Sequence, residues 1–381
     1  MSKENISFEE VLEFIEDLPY SKFRKLVNHY ASRNGKSFEQ ELNNIVILDL
    51  QSRLEKLNIH KHCPQCQSSK VVKNGKRANE IQEYKCKVCS TKYTLFTGTL
   101  LEKTRYDWDS WIKMLEMTLN NYSLHKMIHI LEQEYGYIGI NYKTIWHWRM
   151  KLIHALAMIP MPVLTGIIQI GEIRIKDSNK GNRRIIIEED NKEKGDIKQD
   201  LIFIISAIDN KGYCVSKVMS NEEFTTKQFK AEYKRHISAP AYICSYPVQV
   251  YEEYSKEYNI PHFIKPYQYI NDIQTQTFFK VSNEMCKEEY IKNKGNITYE
   301  EVKRLKEMYN LGLEEIEEIN LQLQAFINQK MTNVNTRYLQ DYLGLYVFKK
   351  NWEVTYGRLS ISKEDAEKIF IELLKRKKQV L

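Results

Sequence analysis

Four cysteines arranged in two close pairs are the residues best suited to chemistry. Cys63 and Cys66 belong to a CPQC motif, Cys86 and Cys89 belong to a CKVC motif, and 19 residues separate the two pairs. Each C-x2-C motif forms a tight turn that aims two sulfurs at one metal ion, and four thiolates complete a closed tetrahedral site. The spacing therefore predicts one structural Zn2+ ion, with no coordination position left open for catalysis.

The segment between the cysteine pairs predicts the element that joins them. Asn74 and Gly75 form the Asn-Gly dipeptide that most strongly signals a two-residue hairpin turn. A hairpin between two metal-binding turns is a zinc ribbon. His60 and His62 lie next to the first pair, but four thiolates already complete the site, so we expect both histidines at the surface.

The remaining cysteines and the apolar content of the chain bear on its compartment. Cys214, Cys244 and Cys286 lie in apolar or helical contexts, which favours buried small side chains over metal ligands. Cysteines paired for metal binding are typical of a reducing compartment. The first residues lack the apolar segment of a signal peptide, and no apolar run is long enough to span a membrane. We therefore expect a cytoplasmic protein with no membrane partner.

Basic residues are concentrated around the cysteine pairs. The formal net charge of the 381-residue chain is +7, and residues 56–105 alone contain 11 Lys or Arg against 3 Asp or Glu. A basic surface of this kind indicates a polyanionic partner, most simply double-stranded DNA. A solvated basic face without a ligand is the alternative. The side chains expected to contact phosphates are Lys73, Lys76, Arg77, Lys87 and Arg105.

Residues 107–157 predict three helices and a second surface for DNA. The first helix runs from Asp107 to about Leu119, and Ser123 and Asn141 are typical N-caps for the other two. Two short helices before a third with basic and aromatic residues outward are typical of a helix-turn-helix domain, and an ordinary helical bundle is the alternative. The residues expected to contact base edges are Lys143, Trp146, His147, Met150 and Lys151.

From Leu164 onward, strand-like runs alternate with helix-like ones. Three strands, a helix, and then strand, helix and strand are the order of an RNase H-like α/β core. The strand-like runs are TGIIQIGEIRI, RRIIIEE, LIFIISAI, GYCVSKVM, AYICSY and HFIKP. Beyond them, the acidic run EEIEE at 314–318 is interpreted as a solvated helix face and not as a metal site.

These patterns together predict a multidomain α+β chain. It comprises N-terminal helices, a zinc ribbon, a helix-turn-helix-like helical domain, an RNase H-like α/β domain and a helical C-terminal region. The predicted bounds are, in that order, 1–58, 59–100, 101–160, 161–268 and 269–381.

An ordered series of motifs resembles the zinc-ribbon DDE transposases of bacterial insertion sequences. The resemblance extends from about residue 60 over nearly all of the remaining chain, and the order of the motifs is more specific than any one of them. The matching stretches include CPQC, VVKNGK, YKCKVCSTKYTLFTGTLLEKT, NNYSL, NYKTIWHWRMKLIHAL, LTGIIQIGEI, KGNRR, SAIDNKGYCV, AYICSY, IPHFIKP and NVNTRYLQDYLGLYVFKKNW. Under this resemblance, residues 269–381 hold a helical insertion and the C-terminal part of the transposase-like domain.

The resemblance implies a catalytic site whose aspartates are missing from this sequence. Such enzymes hold two divalent metal ions between acidic side chains, so that one ion activates the attacking oxygen and the other stabilises the leaving oxygen. The first aspartate belongs where Gly171 stands, and the second belongs where Tyr246 stands. Glycine offers no ligand and a neutral phenol is a poor one, so we expect no Mg2+ at this degenerate site.

Two nearby acidic residues are the candidates for relocated ligands. Glu172 directly follows the first position, so its side chain points to the opposite face of the strand. Asp177 is interpreted as a turn residue that precedes Ser178 and Asn179. The third acidic position of the family is not assigned in this sequence.

The sequence favours a DNA-binding protein that derives from an insertion-sequence transposase and lacks strand-transfer activity. We expect it to act, in association with the nucleoid, as a regulator or as a DNA-targeting or architectural subunit. An active DDE transposase with relocated metal ligands and a protein-interaction scaffold are the alternatives. The family implies a homodimer, and the degenerate domain offers a place for a protein partner. Metal-dependent nicking would select the active enzyme, whereas zinc without DNA affinity would select the scaffold.

Overall fold

The structure, a computed structural model, describes most of the chain with several gaps. The described residues are 37–59, 62–77, 79–177, 201–219, 224–264, 270–271, 277–278, 312–330 and 335–376, with six single residues between Leu18 and His29. His60, Cys286, the strand-like run RRIIIEE and most of the helices predicted near the N-terminus lie outside the described residues.

The chain divides into two compact units. The first unit contains Met1–Met158 and Ser360–Leu381, and the second contains Ile159–Leu359. The division after Met158 lies close to the domain boundary expected at residue 160. Residues 269–381, predicted to form one region, are divided in the structure, where the segment from Ser360 onward belongs to the first unit.

The first unit begins with a long helix and a three-stranded antiparallel sheet. Helix α1 spans Ser37–Lys56, and Leu50 and Leu54 on its inner face are fully buried. The strands are Val71–Lys76 (β1), Gln82–Cys86 (β2) and Lys92–Tyr93 (β3), and they pair in that order. The Gln51 side chain accepts a hydrogen bond of 2.8 Å from the backbone N–H of Gln82, which ties β2 to α1.

Three helices follow, and each starts where the sequence predicts. They are Trp108–Leu119 (α2), Leu124–Tyr135 (α3) and Tyr142–Ala157 (α4). The side chains of Asp107, Ser123 and Asn141 each accept a hydrogen bond from a backbone N–H of the first turn, which satisfies a donor that the helix itself leaves open. Helix α4 packs against both α2 and α3, and Trp148 and Leu152 on its inner side are buried.

A five-stranded mixed sheet forms the centre of the second unit. Its strands are Leu164–Lys176 (β4), Leu201–Asp209 (β5), Cys214–Val218 (β6), Ile237–Ser245 (β7) and His262–Ile264 (β8). Their order across the sheet is β6-β5-β4-β7-β8. Strands β4, β5 and β6 pair in antiparallel fashion, whereas β7 is parallel to β4 and β8 is parallel to β7.

Helices cover both faces of this sheet. The helices are Thr226–Tyr233 (α5), Gln249–Glu257 (α6), Glu314–Ala325 (α7) and Leu339–Tyr356 (α8). Phe229 of α5 and Tyr251 of α6 share a buried core with Ile170 of β4. The next residue of β4, Gly171, faces Ile316 of α7, so α7 lies on the opposite face. No helix in the described part of the chain is long and apolar enough to cross a membrane.

Shorter elements complete the second unit. A two-residue pairing joins Ile270–Asn271 (β9) with Thr277–Phe278 (β10). A π-helical turn, Phe326–Lys330, continues α7, and a 3-10 turn, Thr336–Tyr338, precedes α8. Helix α8 packs against β6, and the Asn351 side chain bonds both the N–H (2.8 Å) and the C=O (3.0 Å) of Cys214.

The last helix, Lys363–Lys375 (α9), belongs to the first unit. The Phe370 ring lies 5.1 Å from the ring of Trp108 and 5.8 Å from that of Trp111, measured between centroids. The indole N–H of Trp108 donates a hydrogen bond of 2.8 Å to the carboxylate of Glu367. Helix α9 therefore covers an apolar side of α2 that would otherwise face water.

Candidate functional site

The two C-x2-C motifs fold into turns of the same shape. The N–H of Cys63 donates to the Ser68 carbonyl at 2.9 Å, and the N–H of Cys86 donates to the Thr91 carbonyl at 3.0 Å. The residue after each second cysteine has a positive φ of 61°, at Gln67 in the first turn and at Ser90 in the second. The two halves of the site are thus built alike, each directing its sulfurs to a common point.

The four sulfurs lie close enough to share one metal ion. All four Sγ atoms lie within 4.8 Å of one another. The Sγ atoms of Cys63 and Cys89 are 3.5 Å apart, and those of Cys66 and Cys86 are 3.6 Å apart. Tetrahedral zinc at a Zn–S distance of about 2.3 Å requires sulfurs about 3.8 Å apart. The donor set and its spacing fit structural Zn2+, which confirms the predicted ligands.

The surroundings of the thiols explain why a divalent cation suits them. The Thr91 hydroxyl and backbone N–H lower the pKa of Cys89 to about 6, and the Cys89 N–H lowers that of Cys86. The Ser68 N–H lowers the pKa of Cys66, but neighbouring thiols and lost hydration raise it to about 12. Four thiolates this close together would repel one another, and a Zn2+ ion held by the four cysteines would stabilise the fully deprotonated set.

The hairpin between the cysteine pairs differs from the prediction. Asn74 and Gly75 lie within β1, where the register shifts between Lys73 and Lys76 and Gly75 adopts a φ of +81°. The dipeptide therefore makes a β-bulge, and the expected turn at this position is wrong. The chain instead reverses after Arg77, whose N–H donates to the Ile81 carbonyl at 2.9 Å.

The basic side chains predicted to contact phosphates lie at the surface of the first unit. Lys73, Lys76, Arg77, Lys87 and Arg105 are all exposed. Two of them are paired with carboxylates: Lys76 lies 3.0 Å from Glu80, and Arg77 lies 3.2 Å from Glu83. Exposed ion pairs of this kind are weak, so both cations stay available to a polyanion.

The zinc ribbon of this chain resembles a known family of domains. Residues 57–90 match the family model of the InsA N-terminal domain, a zinc ribbon. The match covers both cysteine pairs and the hairpin between them. The chain therefore contains an InsA-type zinc ribbon, related to those of insertion sequences. No curated protein matches the chain.

Helix α4 places the residues predicted to contact base edges in different surroundings. Lys143 and His147 are exposed, and Trp146 is half-buried. Lys151 is half-buried and donates a hydrogen bond of 3.4 Å to the Glu102 carbonyl, and burial lowers its pKa. Met150 is buried, with 2% of its surface exposed, so its predicted contact with DNA is wrong. Fewer of the predicted α4 residues are exposed than the sequence suggested, because α4 packs against two helices.

In the second unit, the strand register brings Gly171 and Tyr246 close together. Ile170 of β4 pairs with Ser245 of β7 in parallel fashion, so Gly171, the next residue of β4, lies beside Tyr246, which comes directly after the end of β7. The Tyr246 hydroxyl donates a hydrogen bond to the Glu317 carboxylate of α7. The residue positions that the resemblance singles out are thus adjacent in space.

The acidic run on α7 is largely the solvated face that the sequence predicted, since Glu314, Glu315 and Glu318 are exposed, but two of its carboxylates also contact the sheet. Glu317 accepts from Tyr246, and Glu315 accepts from the side-chain amide of Gln169 on β4. The Gln169 carbonyl oxygen in turn accepts a hydrogen bond of 3.0 Å from the Ile316 N–H. The run EEIEE alone does not show which strand its helix packs on, so the contacts of Glu315 and Glu317 with the sheet could not be predicted from it.

The two candidate relocated ligands lie elsewhere. Glu172 faces away from α7, as predicted: the Tyr251 hydroxyl of α6 donates to it at 3.4 Å, and burial raises its pKa. It lines an open cavity of about 460 Å³ together with Arg174 and Phe203. The Asp177 carboxylate accepts a hydrogen bond from the Thr336 hydroxyl.

Proposed function

We propose that this chain is a DNA-binding protein derived from an insertion-sequence transposase and that it does not cut or join DNA. The observation that carries the proposal is the InsA-type zinc ribbon with its exposed basic side chains. A closed site of four thiolates performs no chemistry of its own, so the ribbon acts by holding a surface rigid. Lysine and arginine on such a surface attract phosphates.

The architecture of the second unit supports the transposase origin. Three antiparallel strands continue into two parallel ones, and helices cover both faces. This is the strand order of an RNase H-like core, the fold that the resemblance implies. Helices α2, α3 and α4 likewise support a helix-turn-helix-like domain, with Lys143, Trp146 and His147 offered to the DNA.

The absence of strand transfer is inferred from Gly171 in the middle of β4 and Tyr246 directly after β7. Gly171 and Tyr246 occupy adjacent positions where two metal-binding carboxylates are expected. The nearest carboxylates of α7 accept hydrogen bonds from Tyr246 and Gln169. Both carboxylates thus already have a neutral hydrogen-bond donor, and neither Gly171 nor Tyr246 supplies the anionic oxygen that Mg2+ requires.

The biological role follows from binding without cutting. Such a protein acts as a regulator or as a DNA-targeting or architectural subunit in the cytoplasm, associated with the nucleoid. A homodimer is the family expectation, and the degenerate domain is the candidate surface for a protein partner. The experiments that test DNA binding and catalysis require only this protein and DNA.

The proposal is tested by DNA binding with salt dependence. Lys73→Gln should weaken binding to all duplex sequences alike and lower the salt slope by about 1, because one phosphate contact is lost. Lys227→Gln, which removes an exposed lysine on α5, is the matched control and should leave both quantities unchanged. Titration of labelled duplexes at several salt concentrations measures them. No affinity for any DNA at low salt would favour the interaction scaffold instead.

Catalysis is tested on DNA that the protein binds. We expect neither nicking nor strand transfer with Mg2+ or Mn2+. Metal-dependent cleavage that Glu317→Gln or Glu172→Gln abolishes would contradict the proposal and restore an active transposase with relocated ligands.

A further inference from the structure

The outer side of α4 continues onto α3 as a surface rich in aromatic rings. We call the following residues the ring surface: His125, Lys126, Tyr142, Lys143, Trp146 and His147. All of them except the half-buried Trp146 are exposed, and 49% of the Tyr142 surface is open to solvent. Tyr142 is thus a large aromatic side chain that is exposed beside lysines. Such a side chain is unusual on a surface that only forms hydrogen bonds with base edges.

The rings of this surface support one another. The centroids of His125 and Tyr142 lie 5.3 Å apart, and those of Trp146 and His147 lie 4.8 Å apart. These contacts hold the rings near fixed positions, so less side-chain entropy is lost when a flat ligand binds. The ring surface is therefore organised before any partner arrives.

The chemistry of these side chains favours stacking over hydrogen-bonded readout. Base edges in the major groove are recognised chiefly by Arg, Lys, Asn and Gln, and of these the exposed start of α4 offers Lys143. Tyrosine, tryptophan and histidine instead stack on base faces, which are accessible only where bases are unpaired. Lys126 and Lys143 supply positive charge for the phosphates beside such bases.

The spacing of the rings points the same way. Tyr142 and Trp146 are four residues apart on one helix, so their side chains emerge about 5–6 Å from each other. This distance exceeds the rise of about 3.4 Å per base along a stacked strand. The two rings therefore suit bases that have already left the stack.

We infer that the ring surface binds unpaired bases in DNA, and this inference rests on the proposed DNA binding. The partner is a duplex that carries a short unpaired stretch, with the flanking paired DNA bound by the basic ribbon. The protein then recognises a distorted DNA structure as well as, or in place of, a base sequence.

The test compares two DNAs in the same titration. One is a labelled duplex, and the other is the same duplex with a short internal loop of mismatched thymines that includes one 2-aminopurine. The loop DNA should bind about tenfold more tightly, because a base stacked on an aromatic side chain contributes on that order. The 2-aminopurine fluorescence should change on binding as its base stacks on a ring.

Three variants separate the inference from general DNA binding. Tyr142→Leu should bring the ratio of the two affinities down several-fold, towards one, whereas Tyr142→Phe, which keeps the ring, should preserve it. Lys73→Gln, in the ribbon that binds the flanking paired DNA, should weaken both DNAs and leave the ratio unchanged. Circular dichroism checks that each variant keeps its helices.

Two results would overturn the inference. Equal affinity of the unaltered protein for both DNAs would refute the ring surface while leaving the proposed DNA binding intact. Equal loss of the loop preference in Tyr142→Leu and Tyr142→Phe would show that the hydroxyl, and not the ring, is responsible. Binding to neither DNA would refute the proposed function itself.

Discussion

At Gly171 the family resemblance leads one to expect an aspartate, whereas the packing of α7 leaves little room for any side chain. An aspartate here would restore the expected metal ligand, but a Cβ atom at this position would lie 2.8 Å from the Asn320 amide nitrogen and 3.1 Å from Ile316. We expect Gly171→Asp to destabilise the second unit by about 1–3 kcal/mol, because α7 must shift to accept the new side chain. Urea unfolding monitored by circular dichroism measures the change.

Two companion variants show whether space or charge is responsible. Gly171→Ala adds the Cβ without a charge and should cost less than the aspartate. Combining Gly171→Asp with Asn320→Ala should recover part of the loss, since the closest contact is removed. If Gly171→Asp instead raised stability, and did so further in Mg2+, the new carboxylate would be binding a metal ion, and the description of this site as unable to hold Mg2+ would be wrong.

A substitution at Gly75 tests how the β1–β2 hairpin contributes to zinc binding. Its φ of +81° is unfavourable for a side chain, yet a Cβ there would meet nothing within 4 Å. Gly75→Ala should therefore cost about 1 kcal/mol through the backbone alone. The loss should appear as faster zinc transfer to a chelator, because the bulge shapes the hairpin that carries the cysteines. Gly139→Ala, at a positive φ but outside the ribbon, is the control and should leave zinc transfer unchanged.

The elements that local chemistry specifies were the ones the sequence could predict. The helices α2, α3 and α4 begin at Asp107, Ser123 and Asn141 because short polar side chains there satisfy first-turn N–H groups. The metal site was predictable for the same reason, since the spacing within each cysteine pair is a local property. Strand β4 likewise follows from its many isoleucines, since β-branched side chains favour strands.

Features set by distant partners were not predictable in this way. An Asn-Gly dipeptide suits a hairpin turn and a bulge equally, and here the pairing of Val71 with Cys86 decides for the bulge. The burial of Met150 depends on two neighbouring helices, which helical periodicity alone does not reveal.

At the scale of the whole molecule, the first unit depends on a helix from the other end of the chain. Phe370 of α9 is fully buried against Trp108 and Trp111 of α2. Phe370→Ala should destabilise the first unit by about 3–5 kcal/mol, because a large buried ring is lost and a cavity remains. The fall in thermal stability should be accompanied by weaker DNA binding.

The matched control is a neighbour on the solvent side of the same helix. Lys368 is exposed on α9, and Lys368→Ala should leave stability within about 0.5 kcal/mol of the unaltered protein. If Phe370→Ala left both stability and DNA binding unchanged, α9 would be an appendage of the first unit and not part of its core.

The return of α9 also sets the order in which the protein becomes functional during its synthesis. The ribosome makes α2 early, but the helix that covers it comes only after the whole of Ile159–Leu359. At about 5–20 residues per second, α2 waits tens of seconds for its partner. Chains cut short by a premature stop codon or a stalled ribosome therefore carry an unfinished DNA-binding unit. We expect such fragments to be cleared by proteases before they can compete with the full-length protein for its DNA sites.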